Sequence, residues 1–197
     1  MTQLTHPTPR RSFLANSLKG SLALSAGLPT LAALLQSFTS EQNTDLPWQG
    51  SAPATEAQFR TALAPLAQQS MLSSQLATTK AANEYARQFA SFELAETTAM
   101  LSILKDLGTT PPPPDAKAQA VMTQLQSASG AAFDKAYIAA QIQTHQQLRT
   151  LTDGYLATGA ASKTNLPELH GHHLAMLAST TIKEHLALTQ RISSVLG

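Results

Sequence analysis

Residues 131–157 read AAFDKAYIAAQIQTHQQLRTLTDGYLA, and the phase of this stretch decides the fold. At about 100° per residue, Phe133, Tyr137, Leu148, Leu151 and Tyr155 fall on one side of a helix. Asp134, Gln141 and His145 form a second, polar stripe along its flank. The stretch has no proline and is preceded by Gly130, so it reads as one long helix with a buried face.

Working outward, the same signals mark the other elements. Thr55 followed by Gln58 is a capping-box pattern and opens a helix over about 55–80, with Pro65 expected to kink it. A second helix over about 83–107 stops at Gly108, before Pro111 to Pro114. Asp115 caps a short helix over about 116–127. After the helix over 131–157 comes a loop from Gly159 to Leu166, and Pro167 opens a last helix to about 195. No stretch shows the sustained alternation of a strand. The expected fold is therefore all-α: an antiparallel four-helix bundle with a short extra helix between its two hairpins.

The same phase counting assigns inward faces. The helix over 83–107 lines up Tyr85, Phe89, Phe92, Ile103 and Leu107, with Glu96 at the centre of that face and Glu93 at its edge. The last helix lines up Leu166, Leu169, Leu177, Leu188 and Val195, with His173 and Glu184 inside the stripe. A carboxylate on an apolar face is costly unless it is paired, protonated or bound to a metal. Bundles build metal sites from such inward carboxylates and histidines, so Glu93, Glu96, His145, His173 and Glu184 are the candidate ligands. The competing reading is a structural network in which Glu and His bond each other and the hydroxyls of Tyr85, Tyr137 and Tyr155. A di-iron bundle needs Glu-x-x-His on two helices, and this chain has none; Glu93-x-x-Glu96 is a partial substitute. The network is the preferred reading on these grounds, and no cofactor is expected; iron, manganese or zinc belongs to the alternative. His170, His172, His173 and His185 read as a wet bundle end, where zinc or copper would bind adventitiously.

Charge decides what else the chain is for. Of 13 basic residues, Arg10, Arg11 and Lys19 precede position 40, whereas all 12 acidic residues follow it. Beyond residue 40 the balance is 10 basic to 12 acidic, so no basic stripe exists for nucleic acid. There is no cysteine, which removes disulfides, thiolate metal sites and lipoprotein acylation. Nucleophile elbows, phosphate loops and dinucleotide fingerprints are also missing from the sequence.

Pro9-Arg10-Arg11-Ser12-Phe13-Leu14 precedes an apolar run from Gly20 to Leu35. Arg10, Arg11, Phe13 and Leu14 in this order resemble a twin-arginine translocation signal. The expected organisation is a signal over 1–36, a linker over 37–53 and the bundle over 54–197. The resemblance implies recognition by the twin-arginine translocation machinery and a place in the periplasm or cell envelope. Apolar residues continuing to Leu35 leave retention as an N-terminal membrane anchor open as well.

Phe133-Asp134-x-x-Tyr137-x-x-x-Gln141-x-x-x-His145 is similar to the signature of the domain of unknown function 4142 family. Phe59 through Lys80-Ala81 into Arg87-Gln88-Phe89-Ala90, and Leu166-Pro167-x-Leu169 before His172-His173-Leu174, resemble further stretches of it. The resemblance covers roughly residues 55–190 and implies an exported ferritin-like bundle, often labelled an outer membrane protein. Two departures remove ligands: Met71, Ser73 and Ser74 stand where the family has a Glu, and Glu96 with Thr97 where it has an Asp-His pair. The expectation is a non-enzymatic envelope bundle with a structural, interaction or stress role. The alternative is a metal-binding or metal-dependent redox protein.

Overall fold

The computed structural model describes residues 51–158 and 165–197. The expected signal segment, most of the expected linker and much of the loop after 158 lie outside the described residues. Among the described residues there are five helices: α1 Glu56–Lys80, α2 Glu84–Asp106, α3 Ala116–Ser127, α4 Gly130–Ala157 and α5 Leu166–Leu196.

Their ends follow local chemistry. Thr55 caps α1 by accepting from the Gln58 backbone N–H, while Gln58 Oε1 accepts from that of Ala54, one residue before the N-cap, so the expected capping box is shifted by one residue on its return bond. Asn83 and Asp115 cap α2 and α3 in the same way, and Gly108 ends α2 with φ of +80°. The α1 helix runs on through Pro65.

Chain direction follows from the contacts. Ser70 meets Gln141, Ser74 meets Tyr137, and Phe59 stacks on Tyr155, so α1 and α4 are antiparallel. The α1–α2 and α4–α5 hairpins are the closest-packed pairs. The order is up, down, down, up, which requires the connection between α2 and α4 to travel the length of the bundle. Pro111 to Pro114 and α3 make that crossover. Lys80 holds its far end by donating to the Leu125 and Gln126 carbonyls.

Two apolar clusters fill the bundle. One, near the start of α1, contains Phe59, Leu63, Leu104, Leu148, Leu151, Tyr155 and Ile182. The other, near the α1–α2 turn, contains Phe89, Leu125, Phe133, Tyr137, Ile138 and Ile192. Between them lies a buried polar layer to which all four long helices contribute: Ser70, Ser73 and Ser74; Glu93 and Thr97; Gln141, Thr144 and His145; His185 and Thr189.

The inward faces of α4 are as expected, but those of α2 and α5 are rotated from the expected phase. Tyr85, Phe92, Ile103 and Leu107 are exposed, and so are Leu166, Leu177, Leu188 and Val195. The faces buried in their place carry Ala86, Phe89, Ala90, Glu93, Thr97 and Leu104 on α2. On α5 they carry Gly171, Ala175, Ala178, Ser179, Ile182, His185 and Thr189. Small side chains let each hairpin close tightly, and the large apolar residues turn outward.

One end of the bundle is held by a polar clamp. The Glu168 carboxylate on α5 accepts from the Glu56 backbone N–H at 3.1 and 3.0 Å, and from the Tyr155 hydroxyl at 3.2 Å. Glu56 pairs with Arg60, whose guanidinium also donates to the Leu107 carbonyl at 2.6 Å and to Thr109. Gly171 lets α5 approach: a Cβ there would stand 2.2 Å from Glu56 Cγ.

Candidate metal centre

The centre is assembled from the middle of the polar layer. Glu93 and His145 are each 2 % exposed at the side chain, and His185 is 8 % exposed. Glu93 Oε2 lies 2.7 Å from His185 Nδ1 and 3.3 Å from His145 Nε2, and the two ring nitrogens are 3.1 Å apart. One carboxylate oxygen and two imidazole nitrogens thus face a common point.

Each member is fixed from behind. His145 Nδ1–H donates to the Gln141 carbonyl at 2.8 Å, which leaves Nε2 of the neutral ring as a lone pair aimed inward. The Ser70 hydroxyl stands 2.5 Å from Glu93 Oε1 and 2.8 Å from Gln141 Oε1, and its single proton serves the carboxylate as the stronger acceptor. Gln141 Nε2 donates to Ser73 and Ser74, and Ser74 bonds the Tyr137 hydroxyl at 2.8 Å. His185 Nε2 lies 3.2 Å from Glu96 Oε2. The Phe89 ring stands edge-on to both imidazoles.

Glu93 Oε2 is buried with no hydrogen-bond donor aimed at it. One proton can lie between the facing ring nitrogens, and none is then directed at the carboxylate. Burial pushes the Glu93 carboxyl up, but the imidazoles of His145 and His185 outweigh it and hold it well below the usual carboxylate range. His185 moves the other way: burial lowers it, and Glu93, Glu96 and Glu184 raise it above the ordinary value by more. Burial also pushes the Tyr137 hydroxyl far up, so it serves as a neutral hydrogen-bonding group.

The donor set suits a divalent ion of hard to borderline character. With bonds of about 2.1 Å, an octahedral ion separates neighbouring ligand atoms by about 3.0 Å and a tetrahedral one by about 3.4 Å. The observed triangle of 2.7, 3.1 and 3.3 Å matches the first without rearrangement. Among the described residues this trio is the cluster whose ligand atoms converge closely enough for an ion.

Of the five ligand candidates named from sequence, the structure brings Glu93 and His145 together and puts Glu96 beside their third member. His173 and Glu184 are exposed and lie outside the trio, because α5 presents His185 to the interior. His185, expected at a wet bundle end, is a buried member of the centre. Its signal was present: it belongs to the buried series Ala178, Ile182, His185, Thr189 and Ile192, at helical spacing.

The motif of α4 is used in full. Phe133 stacks on Tyr137 with centroids 6.2 Å apart, and Gln141 and His145 build the centre. Asp134 accepts from the backbone N–H groups of Ala82 and Asn83 at 3.0 and 2.8 Å, which fixes the α1–α2 turn. The chain matches the family described as Domain of unknown function (DUF4142) over residues 42–192. It belongs to that family. No curated protein and no solved structure shows significant similarity to it.

Proposed function

We propose that this protein is an exported cell-envelope bundle that holds one divalent transition-metal ion at Glu93, His145 and His185. The observation that carries the reading is the convergence of three buried potential ligand atoms, one of which, Glu93 Oε2, has no aligned hydrogen bond. Ser70 and Gln141 support it by fixing the outer faces of Glu93 and His145, as metal sites require. The opposite side of the layer is closed by serines and an amide, so one ion per chain is expected rather than two. The arginine pair at Arg10 and Arg11 supports the export part of the reading. Among the described residues no helix is long and apolar enough to cross a membrane.

Elemental analysis of protein recovered from the periplasm tests both parts. One equivalent of iron, manganese or zinc per chain, lost in Glu93→Gln, is the expected result. A metal-free protein that also fails to bind these ions in titration overturns the metal part. A second reading rests on one observation: an imidazolium at His185, between Glu93 and Glu96, forms an ion network that is complete without metal. In that case the bundle is a structural envelope protein, and Glu93→Gln changes stability alone.

A further inference from the structure

The polar layer is not closed equally on all sides. The α1–α2 and α4–α5 hairpins pack tightly, and serines and Gln141 fill the interval between α1 and α4. The α2–α5 seam is different, since these two helices share much less close backbone than either hairpin or the α1–α4 pair. Glu93, Glu96 and His185 span the gap with their side chains. Phe92 and Ile103 lie four residues before and seven after Glu96, hence on its side of α2. They remain 56 % and 44 % exposed, and Leu188, three residues beyond His185 on α5, remains 48 % exposed.

Exposure falls in steps along this seam. The Glu96 side chain is 49 % exposed, His185 is 8 %, and Glu93 and His145 are each 2 %. One imidazole ring separates the outer carboxylate from the three converging atoms, because His185 presents Nε2 to Glu96 and Nδ1 to Glu93. A partly exposed carboxylate beside a buried site concentrates cations there.

We propose that Glu96 is the loading residue of the centre, and that metal enters and leaves the folded protein through the α2–α5 seam. This rests on the metal-binding reading above. Glu96 then sets the rate of exchange more than the affinity, because it stands outside the converging trio. The test is stopped-flow mixing of Co²⁺ with the chelator-treated full chain, comparing wild type with Glu96→Gln, which keeps an oxygen beside His185 Nε2. Association and dissociation are both expected to slow about tenfold, with Kd changed less than about threefold and the salt dependence of association flattened. A Phe92→Glu variant, exposed and one turn away, is expected to speed association at low salt. An unchanged association rate in Glu96→Gln, with faster dissociation, makes Glu96 a mere support for His185 and overturns the proposal. Wild-type protein that binds no Co²⁺ overturns the underlying reading instead.

Discussion

Besides Asp134 at the α1–α2 turn, the bundle holds carboxylates at the clamp and in its middle, and these two regions treat them in opposite ways. At the clamp, Glu168 receives two contacts from a backbone N–H and one from a tyrosine hydroxyl, while Glu56 holds a guanidinium. Every strong acceptor there has a donor within the protein. In the middle of the bundle Glu93 has a hydroxyl on one oxygen, and two imidazole nitrogens stand 2.7 and 3.3 Å from the other without an aligned hydrogen bond. Satisfaction marks a fastening. The metal site proposed above rests on the shortfall of aligned donors at that second oxygen.

The sharpest way to break this contrast is at the clamp. Replacing Gly171 with Leu forces Glu56 and the start of α1 away from α5, at an expected cost of about 4 kcal/mol or more. Gly171→Ala is expected to cost about 1–3 kcal/mol, with part recovered when Glu56→Ala is added. Urea midpoints measure both; a neutral Gly171→Leu shows that the close approach is not needed.

In the middle of the bundle the largest effect is a gain. Zinc at 100 times its Kd is expected to stabilise the wild type by about 2.7 kcal/mol and to leave His185→Asn unchanged. Equal stabilisation of both places the ion elsewhere.

Proton linkage separates the regions further. Glu93 is held below its ordinary 4.5, so its contribution is present above that value and is lost as acid reaches the lowered one. His185 is raised above 6.5, so its contribution is complete below 6.5 and is lost as pH rises through the raised value. The metal-free pair therefore stabilises most between these limits and weakens on the alkaline side. Burial and the neighbouring Glu168 push the clamp's Tyr155 from 10.0 up to about 12, so its contribution survives to pH 10 and fades toward 12. Melting temperatures across pH with chelator present are expected to fall first through the mid-bundle pair, and His185→Asn should remove that first decline. If His185→Asn leaves the profile unchanged, the pair is not its source.

The smallest effects are deletions of single hydroxyls. Tyr155→Phe is expected to cost about 1 kcal/mol without changing metal affinity, whereas Ser70→Ala should cost a similar amount and weaken binding about 10- to 100-fold. Matched binding curves for the two variants would erase the distinction between the regions.

How much of this was written legibly in the sequence differs by element. Helix boundaries were, because Thr55, Asp115, Gly108 and Pro167 carry capping and stop chemistry that acts locally. The inner face of α4 was too, since its large residues point inward. The faces of α2 and α5 were not. Phase counting weights Phe92, Leu177 and Leu188, whereas close helix approach selects Ala86, Ala90, Ala175 and Ala178, whose burial leaves little mark on hydrophobic periodicity. His185 was obscured for the same reason, and by its nearness to three surface histidines. Glu93 and His145 were recoverable because an inward charge is conspicuous wherever the phase is nearly right.

The crossover through α3 gives the central seat a further meaning. Ser70 and Glu93 come from the hairpin before it, and Gln141, His145 and His185 from the hairpin after it. Neither half of the chain holds a complete set of ligands. An ion bound there would act as a rivet between the two hairpins, across the longest connection in the bundle.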